Sequence, residues 1–131
     1  MARIEPEPSD FDPEDFDEND RQAAFAEGVQ AFDGGQYHAA HECFERCWLA
    51  SESGDADFYK GLVQASICMH HQSRGNLDGA RPLNVGARRL LGAFLPGHEG
   101  LDLARFLGEL QAHVRGASGS TPVPRMSPSV S

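Results

Sequence analysis

Apolar residues along this chain recur at intervals of three and four, the spacing of one face of an α-helix, and nowhere sustain the alternation expected of a half-buried strand. Phe25, Val29 and Phe32 form the first stripe, predicting a helix from near Asp20 to Phe32 that stops at Asp33-Gly34-Gly35. A second helix is predicted over about Tyr37 to Ala50, ending in a turn from Ser51 to Gly54. Asp55 or Asp57 can cap a third helix that runs to about Ser73. Arg74-Gly75-Asn76 interrupts the pattern again. A fourth helix with Leu83, Ala87, Leu90, Leu91 and Phe94 inward then ends near Leu95-Pro96-Gly97, its start blurred by Pro82, because proline is tolerated only in the first turn. Leu103, Phe106, Leu107, Leu110 and Val114 mark a fifth helix over about Gly100 to Val114. The expected fold is all-α: a compact antiparallel bundle of about five helices over residues 20–115, with an arm over 1–19 and a tail over 116–131.

Residues 58–73 differ from the other helical stretches. Phe58, Leu62, Ala65 and Met69 line one side, Val63 and Ile67 another, and Gly61 and Cys68 fill between. A helix apolar around most of its circumference is packed on several sides, so the third helix is expected at the centre. Lys60, Gln64 and His71 leave only a narrow polar stripe on it.

Charge changes the picture at the ends. Residues 1–20 carry nine acids against Arg3 alone, a net of −8 out of the −9 of the whole chain, so the body is close to neutral. With Pro6, Pro8 and Pro13 and little to bury, that arm is expected to be disordered and solubilising. The Gly/Ser/Pro-rich composition of residues 116–131 predicts a disordered tail. Direct nucleic-acid binding is disfavoured, since no basic cluster exceeds Arg88-Arg89 and the arm would repel phosphates. No run is long and apolar enough to span a bilayer, and the N-terminus lacks the apolar segment of a secretory signal. Cys43, Cys47 and Cys68 are odd in number and sit in helical patterns, which suits reduced thiols and a cytoplasmic location. Oligomeric state and partners leave no mark in this pattern.

The chemistry concentrates in His41-Glu42-Cys43-Phe44-Glu45-Arg46-Cys47-Trp48. At about 100° per residue, His41, Glu45 and Trp48 share one helix face, beside the apolar arc of Tyr37, Ala40, Phe44 and Cys47. Titratable groups aimed inward need a partner, and the Lys60/Gln64/His71 stripe is the expected facing half. Three versions of that site remain open. His41, Glu45 and His71 can bind a divalent transition metal, imidazole and carboxylate being suitable donors. His41 and Glu45 can act as a metal-free acid–base pair in a pocket of Trp48, Tyr37, Gln64 and Lys60. Or the groups can satisfy one another as a structural network that fixes helix register. The zincin pattern HExxH is not met, because Glu45 replaces the second imidazole.

These residues resemble the bacterial and archaeal family known as domain of unknown function 309, whose hallmark is His-x-x-x-Glu-x-x-Trp or Tyr: here His41, Glu45 and Trp48. The likeness extends through Phe25-x-x-Gly28, Tyr37-His38-Ala39-Ala40, Lys60-Gly61-Leu62-Val63-Gln64-Ala65, His70-His71 and Gly75-Asn76-x-x-Gly79-Ala80, over about residues 21–95. The resemblance implies a small all-helical protein with a metal suggested at the hallmark and no established enzymatic activity; were the site catalytic, hydrolysis or proton transfer would suit its donors. A second likeness, of the Gly35-to-Glu45 stretch to one helix pair of a tetratricopeptide repeat, implies a peptide-binding scaffold instead. Only one such unit is visible.

Overall fold

The computed structural model describes residues 12–51, 54–116 and 123–127. Five α-helices follow one another among these residues: α1 (Glu18–Asp33), α2 (Tyr37–Ala50), α3 (Ala56–Ser73), α4 (Leu77–Leu91) and α5 (Leu103–Gly116). Short connections turn consecutive helices back on one another, so the all-α bundle expected from the periodicity is present.

Local chemistry accounts for the helix ends. Asp17 accepts the Asp20 N–H at 2.8 Å while Asp20 accepts the Asp17 N–H at 3.1 Å, a reciprocal cap that starts α1 two residues before the expected position. Gly35, at φ 82°, takes the left-handed conformation that lets the chain turn into α2. Asn76 Oδ1 accepts the Gly79 N–H at 3.0 Å and starts α4 well before Pro82. Pro82 therefore sits inside the helix, on its exposed side, where water can reach the carbonyl that the missing N–H leaves unpaired.

The all-round apolar pattern of α3 is explained by its place. It packs along α4 on one side and α2 on the other, and α1 covers α2. Phe58, Tyr59, Leu62, Ala65 and Cys68 are fully buried. Buried Ser66 returns its hydroxyl proton to the Leu62 carbonyl at 2.9 Å, so it costs the core no unpaired donor. Two glycines set helix spacing: a Cβ on Gly28 would stand 2.6 Å from the Phe44 ring, and one on Gly61 would stand 2.6 Å from Leu91 Cγ. Backbone and side chain meet there at distances no other residue permits.

Three features depart from expectation. Between α4 and α5 the chain makes a short 3-10 turn (Gly92–Phe94) and then a small antiparallel hairpin, β1 (Gly97–His98) with β2 (Leu101–Asp102). Its two turn residues, Glu99 and Gly100, have φ of 52° and 80°, as a tight hairpin with right-handed strand twist requires. The hairpin delays α5 to Leu103, where Gly100 was expected to begin it. The second departure lies in the tail: residues 123–127 pack against the body, with Pro124 and Met126 buried. The third lies in the acidic arm expected to be disordered over 1–19: residues 12–19 are ordered, with a 3-10 turn at Pro13–Asp15, Phe16 packed against the core and α1 beginning at Glu18. The arm up to residue 11 and the remainder of the expected tail lie outside the described residues. No helix among those described is long and apolar enough to cross a membrane.

Candidate functional site

The fully buried arc of α2 consists of Ala40, Phe44 and Cys47, with Cys43 at 4% exposure. His41 and Glu45 fall to one side of that arc. Their side chains are 21% and 42% exposed, so the pair occupies the rim of α2, not the interior that its nearness to the apolar arc suggested. His41 Nε2 stands 3.7 Å from Glu45 Oε1, close enough for an ion pair but too long for a hydrogen bond. The other ring nitrogen, Nδ1, is buried and has no hydrogen-bond partner among the described residues.

Around this pair the structure gathers more imidazole than the spacing indicated. The His38 ring lies 5.3 Å from His41 and 5.8 Å from His70, and His70 lies 6.1 Å from His71. His38 also pairs with Glu42 at 3.3 Å, both side chains well exposed. Four histidines thus run from α2 across to the end of α3, with a carboxylate beside each of the two on α2. His70 has its pKa lowered below the usual imidazole value, first by desolvation and then by the positive neighbours Arg74, His38, His71 and His41.

The other residues singled out by the sequence go to several places. Lys60 Nζ lies 5.5 Å from the centre of the Trp48 ring, a cation–π contact that joins α3 to α2 beside the His41–Glu45 pair. Gln64 turns to α4, its Oε1 lying 2.0 Å from where a Cβ on Gly86 would be. His71 Nδ1 is 3.3 Å from the Asn76 amide, so its ring is engaged at the start of α4. Tyr37 faces α1, edge-on to Phe32 at 5.0 Å, and burial followed by the charge of Asp33 raises its pKa. The structure brings His41 to Glu45 and Trp48 to Lys60. It does not gather His41, Glu45 and His71 into a set of three ligand atoms within 4.8 Å of one another.

One group among the described residues does meet that spacing: Asp55, His98 and Glu99. Asp55 stands at the start of α3 without capping it, and its Oδ1 is instead 3.0 Å from His98 Nε2. Phe58 and Phe94 pack on the His98 ring at 4.6 and 4.8 Å. Arg21 of α1 reaches the Tyr59 hydroxyl and stands 3.8 Å from Glu99 and 2.5 Å from Glu18. Burial raises the pKa of the Tyr59 phenol despite the neighbouring arginine. Beside this cluster, Arg21, Asp55 and Tyr59 line a polar cavity of about 420 Å³ together with Ser51 and Gly54. With Arg21 beside Glu99 and His98 against Asp55, the cluster is a clasp joining α1, α3 and the hairpin. Sequence reading missed it because Asp55 read as a helix cap, and the one available signal was Gly100 after Glu99.

The thiols take no part. Cys43, Cys47 and Cys68 are free and buried, and burial pushes Cys47 and Cys68 up to about 12, so both remain protonated at neutral pH.

A search among curated proteins gives no significant match. Residues 25–83 match the sequence model of a family described as domain of unknown function (DUF309). That span runs from the middle of α1 into α4 and takes in the whole His41–Glu45–Trp48 motif and Lys60, Gln64 and His71 on α3. Over residues 25–83, the helical core of the chain is thus similar to that family.

Proposed function

We propose that this protein is a divalent transition-metal-binding helical domain whose ion is held at the rim of α2 by His41 and Glu45, with His38 and His70 as the neighbouring imidazoles. The observation that carries this reading is the convergence of donors at one place: His41 Nε2 stands 3.7 Å from Glu45 Oε1, and the His38 ring lies 5.3 Å from His41 and 5.8 Å from His70. The donor chemistry fits: imidazole and carboxylate suit zinc, nickel or manganese, and the lowered pKa of His70 keeps that ring neutral and able to coordinate near pH 7. His38, 66% exposed in its side chain, is free to turn toward an ion without disturbing the core. A bound ion would supply Lewis acidity at an open surface.

Isothermal titration of untagged protein with zinc and with nickel tests this. Wild type is expected to bind one equivalent, His41→Ala to bind at least tenfold more weakly, and Glu45→Gln to fall between. Equal metal contents of wild type and His41→Ala after incubation and desalting, measured by elemental analysis, would sink the reading.

A further inference from the structure

Residues 123–127 are held as a peptide is held in a binding cleft. Asp33, at the end of α1 and with its side chain only 8% exposed, accepts the backbone N–H of Met126 at 2.7 Å and of Ser127 at 3.0 Å, and also the Ser127 hydroxyl. Glu109 of α5 accepts the Arg125 N–H at 3.2 Å. Arg105, one turn earlier, donates to the carbonyls of Ser127 at 3.0 Å and Arg125 at 3.4 Å. Side chains alternate: Val123 and Arg125 are more than half exposed, while Pro124 and Met126 are fully buried. Polar contacts to the main chain with sockets for every second side chain are the physical pattern by which proteins recognise extended segments.

We propose that the cleft between the end of α1 and the first half of α5 is a recognition site for extended protein segments carrying proline and a long apolar side chain two residues apart. The chain's own residues 123–127 occupy it as a tethered ligand. Most of the polar contacts go to backbone, so they select extension, and the two sockets select the pattern Pro-x-Met. The tether has the right reach. From Glu109 to Gly116 α5 advances about 10 Å, whereas the seven residue steps from Gly116 to Val123 can span up to about 23–25 Å. The segment can therefore turn back along α5 within one chain. A ligand tied this closely is present at an effective concentration of order millimolar, so a competing segment binds only when the tail is disabled or the competitor is strong.

The full-length chain with Met126→Asp opens the cleft while leaving its walls intact. A fluorescein-labelled peptide of residues 121–129 is expected to bind this variant, by anisotropy, at least tenfold more tightly than it binds wild type. Adding Asp33→Asn to the variant should weaken peptide binding at least tenfold, as should replacing the methionine of the peptide by aspartate. No binding to Met126→Asp, or equal binding to wild type, would overturn the proposal. So would loss of the helical circular-dichroism signal in Met126→Asp, since a tail without which the body cannot fold is core and not ligand. A wild-type chain that sediments as a dimer and separates on Met126→Asp would seat the tail in a neighbour's cleft and overturn the tethered arrangement.

Discussion

At the scale of single residues, histidines decide the behaviour. The lowered pKa of His70 carries a sign for stability. In the unfolded chain an imidazole titrates near 6.5, above the folded value, so between the two the unfolded state holds a proton that the folded state lacks. Stability is then fully present above about pH 6.5 and declines as pH falls through the lower, folded value. Chemical denaturation at pH 7.5 and 5.0 should show this loss, and His70→Gln should lose less than wild type over the same interval. Metal affinity is expected to fall over that range too, because protons and metal compete for the same ring nitrogens. The meeting of His41 with Glu45 was legible from a separation of four residues, which any helix converts into contact. Its depth was not legible. Spacing sets an angle around α2, and how much of that angle is covered depends on where α3 lies. His70 was passed over in favour of His71 for the same reason: two successive residues on a helix differ by about 100°, and the helix wheel alone does not say which arc faces α2.

Among elements, the closest approaches make opposite predictions for one kind of substitution. Gly28→Ala would drive a methyl group into the ring of Phe44, and Gly61→Ala would drive one into the branch point of Leu91, both fully buried. Each is expected to lower stability by about 1–3 kcal/mol, since the obstructing atoms have nowhere to move. At Gly86 the obstruction is the far end of the Gln64 side chain, which can swing away. Gly86→Ala should therefore be neutral or up to about 1 kcal/mol more stable, alanine being the better helix former. Urea denaturation of the three variants separates the two outcomes, and a large loss for Gly86→Ala would show that Gln64 is fixed. All five helices were legible because each carries several turns of repeated apolar positions. The hairpin was not, because two residues per strand are too few to establish a period, and Glu99 occupies a left-handed position where glycine or asparagine would have announced a turn.

Taken whole, the molecule keeps its three thiols inside. Cys47 and Cys68 have no exposed surface and thiols pushed up to about 12. Ellman's reagent at pH 8 should modify none of the three cysteines quickly in folded protein and all three in denaturant; rapid modification of the folded chain would contradict the burial of α2 against α3. The architecture was legible from the apolar circumference of residues 58–73, which marks a helix with neighbours on both sides. Docking of the tail was not. Val-Pro-Arg-Met-Ser has the composition of a loose end, and what holds it comes from two places that no local pattern joins: Glu109 and Arg105 on α5, and Asp33 more than ninety residues earlier at the end of α1.

The glycine seam between α3 and α4 has a mechanical corollary. With Leu91 seated against the bare backbone of Gly61, those two rods can shift along each other only by lifting out of register, a jump of about one helical pitch, near 5.4 Å. Among the described residues no glycine makes such an interlock where α2 meets α3, and the Lys60–Trp48 contact there is made by side chains. Movement provoked by anything bound at the histidine line is expected in α1 and α2 together, since Gly28 and Phe44 lock those two to each other, with α3 and α4 serving as the anvil.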